Sequence, residues 1–428
     1  MKKIFITLIF LIGVLFALLS TANASNYDHC ADELNELGLF LGTENGYELD
    51  KPATRAQAVT MLVRLLGKED EALNNSELYS TPFSDVPEWA APYVGYAVNN
   101  GLVNGMTETT FVPNTNCTAQ MFATLLLRAL GYDDINSGDF SYNGALQFAE
   151  DKGIVDSYSI SGTTFLRDNM VALAYNALAC DTKDGNMLLQ ELIDEGAVDS
   201  DIALENISTF SAYRNIENAL NKINSSSAVE TLTISNFSGS TDGTVVLTAE
   251  QDIVKKYVSS PSELYYISIS DSYTHGDTTE ISAENSYYSE GKVYVENSLG
   301  KFIYNYDSSD LEIGLTVDPL CTIDSIDTRI VSNGNTMYTI SYGASVLSDG
   351  SELVNELGTA DVSSLECSIV LDSNSELVSY NIFLHSTVTN DNTTYDVLMD
   401  SVTTVTATGA AVTLTLPEDL SEYKQVVG

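Results

Sequence analysis

The chain has 428 residues, with 60 acidic against 18 basic side chains and a formal net charge of −42. That excess excludes nucleic acid and anionic membrane surfaces as partners, since both demand clustered Lys and Arg. A hydrophobic content of 44%, with 24 Tyr and 14 Phe, supplies cores for two or three domains and excludes wholesale disorder.

In chain order, Lys2-Lys3, the apolar run Ile4–Leu19 and Ala22-Asn23-Ala24 read as a secretory leader over residues 1–24. The run is shorter than the about 20 residues of a membrane span, so no membrane contact is expected after cleavage, with an uncleaved anchor as the alternative. Three stretches of one design follow, at about 27–70, 81–132 and 139–180. Their second halves superpose without gaps. Thr54-Arg55-Ala56-Gln57 leads to Gly67, Thr118-Ala119-Gln120-Met121 leads to Gly131, and Leu166-Arg167-Asp168-Asn169 leads to Ala179. An internal repeat of this size is one supersecondary unit whose apolar face needs its neighbours, so the three read as one body over 25–185.

In the first copy Asp32–Leu39 predicts a short helix and Thr43–Gly46 a turn. Thr54 is the expected N-cap of a helix Arg55–Leu66 that stops at Gly67. The second copy repeats this with Thr118, Ala119–Leu130 and Gly131. The third starts less regularly at Tyr142 and recovers at Lys152-Gly153-Ile154. Met187–Ile193 reads as a closing helix, and 186–209 as a helical linker. A helix over Tyr213–Ile223 opens the last domain, 210–428.

Beyond Ser225-Ser226-Ser227 the hydrophobic period changes to two. Ile267/Ile269, Phe302/Tyr304/Tyr306, Leu311/Ile313/Leu315/Val317, Tyr338/Ile340/Tyr342, Cys367/Ile369/Leu371, Val378/Tyr380/Ile382/Leu384 and Val412/Leu414/Leu416 alternate with polar neighbours. One wet face and one buried face predict an antiparallel meander. Residues 343–358 break the pattern and predict a helix over the sheet. The fold class is therefore α+β: an all-α three-repeat module, then a mainly antiparallel β domain with one or two helices. Of five cysteines, Cys321 and Cys367 are the one pair worth testing as a disulfide, with buried free thiols the expectation.

The phrase Phe83-Ser84-Asp85-Val86-Pro87-Glu88-Trp89-Ala90, the later Gly101 and Gly105, and Thr54-Arg55-Ala56-Gln57 resemble the S-layer homology family. That family supplies the cell-wall anchoring module of many Gram-positive surface proteins, and the resemblance covers about 27–180. It implies pseudo-threefold packing of the three repeats and a secreted protein held at the cell wall or S-layer by a secondary cell-wall polysaccharide, often ending in a pyruvylated amino sugar. It also leaves room for self-association at the surface. The family's Arg of the Thr-Arg-Ala-Glu phrase contacts the acidic sugar, because a guanidinium fork matches a carboxylate. Carried over, Arg55 and Arg167 match, while the second copy has Ala119. Thr54, Gln57, Asp85 and Trp89 complete the candidate polysaccharide-binding set. From residue 210 on, the order of helix, meander and Tyr288–Tyr294 is similar to the lipoprotein-carrier superfamily, which implies a half-barrel-like sheet that encloses an apolar cavity with its covering helix.

Plainer readings stand beside these. Arg64 and Arg128, deeper in their helices, are expected at the surface or in interhelix salt bridges rather than on a ligand. Trp89 serves equally as packing between repeats, and Asp85 as an N-cap for a helix started by Pro87. Three scattered histidines and the lack of a nucleophile elbow, phosphate loop or dinucleotide fingerprint predict no catalytic residues, no cofactor and no enzyme. Asp181–Gly185 matches a calcium loop only superficially, so no metal is expected. For the β domain two alternatives stay open: a carrier for an apolar or wall-derived ligand, or a structural element. An enzyme acting on wall glycan is a distant third.

Overall fold

The computed structural model describes residues 27–134, 138–156, 159–160, 162, 164–259, 264–305, 314–331, 333–342, 359–390 and 393–426. The leader, the helix expected within 343–358, and Tyr306, Leu311 and Ile313 lie outside the described residues. The chain divides into a helical unit, Ala22–Ser211 with Pro319–Asp324, and a sheet unit, Ala212–Asp318 with Ser325–Gly428. The layout is α+β.

Nine helices are described: α1 (Asp28–Glu36), α2 (Arg55–Leu65), α3 (Glu69–Asn74), α4 (Ala91–Asn99), α5 (Ala119–Ala129), α6 (Ala145–Asp151), α7 (Arg167–Ala179), α8 (Leu188–Asp194) and α9 (Leu204–Asn224). α1 opens ahead of the expected Asp32 because Tyr27 is anchored: its N–H donates to Asp168 Oδ1 at 2.8 Å. Gly38, at φ +74°, sets the stop. α2 has the full capping box, with Gln57 N donating to Thr54 Oγ1 (3.3 Å) and Thr54 N to Gln57 Oε1 (3.0 Å). Thr118 Oγ1 accepts from Met121 N at 3.2 Å and starts α5 the same way. α7 begins at Leu166, which has no side-chain acceptor; Asn169 Oδ1 takes the Leu166 N–H at 2.7 Å instead.

The starts of two of these helices dock alike. Arg55 N donates to Thr115 O and Ala56 N to Pro113 O, three and five residues ahead of Thr118. Arg167 N donates to Lys51 O and Asp168 N to Leu49 O, three and five residues ahead of Thr54. Glu48 and Val112, each six residues ahead of those caps, both hold positive φ, +51° and +60°. For a β-branched Val that is a strained conformation, so its loop must be held from outside.

The sheet unit is built on one sheet of twelve strands: β1 (Ala228–Thr241), β2 (Thr244–Val258), β3 (Leu264–His275), β4 (Thr278–Ser289), β5 (Lys292–Asn297), β6 (Gly300–Asn305), β7 (Ile323–Ile330), β8 (Thr336–Tyr342), β9 (Thr359–Leu371), β10 (Leu377–Asn390), β11 (Thr393–Thr408) and β12 (Lys424–Gln425). Their order is β12-β6-β5-β4-β3-β2-β1-β11-β10-β9-β8-β7. The meander closes by pairing β1 with β11 antiparallel, Phe237 opposite Met399 and Ser235 opposite Ser401. Among the described pairings, the short β12 runs parallel to its neighbour, β6. From Ala212 on, α9 contributes buried Ile216, Ala219, Leu220 and Ile223 to this unit, and Asn215 Nδ2 donates to Tyr338 OH at 3.3 Å.

Two expected strands are corrected. Val412, Leu414 and Leu416 follow a 3-10 turn at Gly409–Ala411 and form no strand, since the turn ends β11 and Pro417 cannot donate to a ladder. Leu315 and Val317 also lie in irregular chain, where Leu315 bonds through its backbone to the Asn224 side chain. All five cysteines are buried thiols, none of them in a disulfide. Cys321 belongs to the helical unit and Cys367 to the sheet unit.

Candidate groove at the start of the second helix

Arg55 is the first residue of α2, and its docking on Thr115 and Pro113 fixes where its side chain can reach. The guanidinium lies 4.4 Å from the centre of the Phe111 ring. Its Nε donates to Phe111 O at 3.1 Å and its Nη2 to Asn104 O at 2.5 Å. Two of its five N–H donors are thus spent on main chain, leaving three for a ligand. A cavity of about 350 Å³ opens beside it, lined by Arg55, Met106, Met121, Leu125, Arg128 and Tyr142 among others. Burial lowers the Arg55 pKa, and the charge of Arg128 lowers it further; a guanidinium nonetheless stays cationic in proteins.

Arg128 is the second guanidinium on this wall. It forms a bidentate pair with Asp134, 2.8 Å at each contact, and donates to Leu102 O at 2.9 Å. The pair holds the Asp134 carboxyl below its usual range. Arg64 is paired too, 2.9 Å from Glu69 and 3.4 Å from Tyr93 OH. Both arginines therefore sit in salt bridges, as their depth in the helices suggests.

Asp85 braces the groove from behind. Its Oδ1 accepts Phe111 N and its Oδ2 accepts Val112 N, each at 2.8 Å. These backbone N–H groups, Phe111 first, hold its carboxyl below the ordinary value. They also supply the outside restraint that Val112 needs at positive φ. Asp85 is thus no N-cap: the helix after Pro87 starts at Ala91, and its first turn is fed by Pro87 O. Gly105 permits the close approach of Phe83, whose ring stacks on Phe111 at 5.5 Å; a Cβ there would sit 2.3 Å from the Phe83 ring.

The remaining sequence candidates separate. Thr54 and Gln57 are occupied by each other in the capping box. Trp89 is 53% exposed and is not among the residues lining the cavity. Arg167 is 4% exposed, its guanidinium 5.7 Å from the Phe40 ring centre and its Nε without a hydrogen-bond partner. Burial lowers its pKa, opposed by the charge of Glu48. Sequence reading missed Asn104, Met106, Met121 and Tyr142. Tyr142 carries a usable signal, since Ser141 caps the 3-10 turn that presents it. Among the described residues no cluster of His, Cys, Asp and Glu could hold a metal, and no helix is long and apolar enough to cross a membrane.

Residues 82–118, the stretch that contains Asp85, Trp89, Gly105 and Phe111, match the family model described as S-layer homology domain. The chain is 31% identical over 151 residues to a middle cell wall protein of Brevibacillus brevis, covering 35% of this chain and 14% of that one. It is 34% identical over 130 residues to a cell surface protein of Thermoanaerobacter kivui, covering 30% and 16%. A similar stretch, 32% identical over 116 residues, occurs in an amylopullulanase of Thermoanaerobacterium thermosulfurigenes, covering 27% and 6%. The chain thus spans about a sixth or less of the length of these relatives. Among solved structures, LprF of Mycobacterium bovis is similar over 48% of this chain and 97% of that one, at 12% identity and a TM-score of 0.27.

Proposed function

Because the chain carries an S-layer homology domain at residues 82–118, we propose that its helical unit anchors it without a covalent bond to the bacterial cell wall. In this reading the three stretches at about 27–70, 81–132 and 139–180 act as one pseudo-threefold module on an exported protein. The ligand is an acidic secondary cell-wall polysaccharide, and the sheet unit is displayed at the surface, where copies could associate. The observation that carries the reading is Arg55: held on three sides, with three donors left toward a cavity of about 350 Å³.

The chemistry follows from that geometry. The backbone carbonyls and the Phe111 ring immobilise the side chain before any ligand arrives, so less rotamer entropy is lost per bond formed. A carboxylate meeting the remaining fork gains about 1.5–3 kcal/mol. The net charge of −42 repels a polyanion at long range, but salt confines that repulsion to about 8 Å. A single groove is a weak site, and several engaged along one polymer would gain through effective concentration. The full chain should sediment with wall sacculi and stay in solution once their accessory polysaccharide has been removed. Equal sedimentation with both preparations refutes the reading.

A second reading concerns the sheet unit as a carrier for an apolar or wall-derived ligand. It is favoured by tyrosines paired across neighbouring strands on opposite sheet faces, half-buried Tyr266 with Tyr287 at 4.8 Å and buried Tyr265 with half-buried Tyr288 at 5.4 Å. Such a ligand would raise the melting temperature in a concentration-dependent way; a surface element without a ligand would give no shift with lipids or wall fragments.

A further inference from the structure

Cys30 and Cys321 are 291 positions apart and lie in contact inside the helical unit. Cys30 is on α1. Cys321 is in the 3-10 turn Leu320–Thr322, part of the strap Pro319–Asp324 that packs on α7 with Leu320, Cys321 and Ile323 buried. The Cys30 thiol donates to the Cys321 carbonyl oxygen at 3.5 Å. A carbonyl oxygen is about 2.4 Å from its own Cα, which puts the Cys30 sulfur within about 6 Å of the Cys321 Cα. A disulfide requires Cα atoms about 4.4–6.8 Å apart and sulfurs at about 2.05 Å, so both side chains must rotate and the strap must shift toward α1 before the bond can close. The Cys321 sulfur now points to Asp156 Oδ2 at 3.8 Å. Cys367, which sequence position alone suggests as its partner, is in the other unit.

The surroundings argue against a different use of Cys30. His29 Nε2 is 3.3 Å from the Cys30 sulfur and His29 Nδ1 is 4.0 Å from Asp324 Oδ1, the order of a nucleophilic triad. Yet Cys30 is 0% exposed, and burial drives both thiols well above their usual pKa. No substrate reaches the sulfur, and no thiolate is available while the strap is docked.

We propose that Cys30 and Cys321 form a latent disulfide pair, closed by a small-molecule disulfide when the strap is undocked, which then fastens residues 319–324 to α1. The thiolate of one cysteine attacks oxidised glutathione, releasing one glutathione thiol and leaving a mixed disulfide. The second cysteine, as thiolate, displaces the other glutathione. Two protein thiols lose two electrons and two protons in total, and one glutathione disulfide becomes two thiols.

The test uses the full chain. It is incubated with oxidised glutathione at denaturant strengths spanning the onset of unfolding, diluted to refold, quenched with N-ethylmaleimide, and mapped by peptide mass spectrometry. The expected product is a Cys30–Cys321 linked peptide. The denatured chain should then run faster on a non-reducing gel, because a loop of 291 residues is closed. The triple variant C117S/C180S/C367S should keep both signals and C30S should lose both. Recovery of Cys30 and Cys321 on separate alkylated or glutathionylated peptides at every denaturant strength overturns the proposal. So does a dominant link from either one to any other cysteine.

Discussion

Arg55 and Arg167 start helices of one design, dock through the same pair of backbone hydrogen bonds, and end in opposite surroundings. At the first corner the Phe111 and Asn104 carbonyls take two donors and the rest of the guanidinium faces open space. At the other, every residue of α7 is buried and Arg167 is closed in over Phe40. α7 packs against α1, α5, α8 and the 3-10 turn at Leu320–Thr322, so there is little free surface around its start. The comparison teaches that a shared phrase fixes the backbone of a corner, while the packing around it decides whether its arginine can meet a ligand.

The largest effect should come from Arg55→Ala. Losing one charge-assisted carboxylate contact of about 1.5–3 kcal/mol predicts a roughly 10- to 100-fold drop in sacculus binding. The melting temperature should change little. Arg167→Ala should do the reverse: it empties a buried volume and should lower the melting temperature on the order of 5 °C, with binding weakened less than at Arg55. Arg167→Met separates packing from charge, since it keeps much of the stem and removes a buried cation whose Nε has no hydrogen-bond partner. It should restore the melting temperature. A binding loss in Arg167→Met equal to that of Arg55→Ala would break the comparison.

The helical half was largely legible because its punctuation is local. Thr54, Thr118, Gly67 and Gly131 each declare a cap or a stop, and the helices end within a residue or so of them. The groove was only half legible. Arg55 stands in a recognisable phrase, but Asn104 takes part through its carbonyl, which any residue could supply. The sheet's central strands were hidden for a different reason. β1 turns Thr231, Thr233, Ser235 and Phe237 to the buried face, and Thr233 and Ser235 meet Thr403 and Ser401 of β11 at 2.8 Å. Hydroxyls that satisfy each other across a strand pair can be buried at little cost, and they erase the apolar–polar alternation by which strands are recognised.

A smaller gain should follow Ala119→Arg, which supplies the guanidinium that the second stretch lacks at the position of Arg55. If the corner offers an open groove, sacculus binding rises a few-fold through added valency. If that corner is closed as at Arg167, the substitution costs stability and adds no binding. Binding and melting temperature measured on the same sample decide which kind of corner it is.

The finest distinction lies in the braces. Asp85 holds the first corner's loop by accepting Phe111 N and Val112 N, whereas the loop beside Arg167 is tied by Tyr47 OH to Asp32 and Thr43 Oγ1 to Glu48. The Asp85 pKa is depressed in the folded chain, so its contribution is fully present above the unfolded value and is lost as pH falls through the folded one. Asp85→Asn keeps one acceptor and loses the charge; it should weaken sacculus binding at neutral pH and remove the acid-side fall seen in the parent. The parent's binding should therefore decline toward low pH ahead of any unfolding, as Val112 relaxes from its positive φ and Phe111 shifts away from Arg55. An acid profile identical in the parent and in Asp85→Asn would show that the carboxylate does not hold the groove.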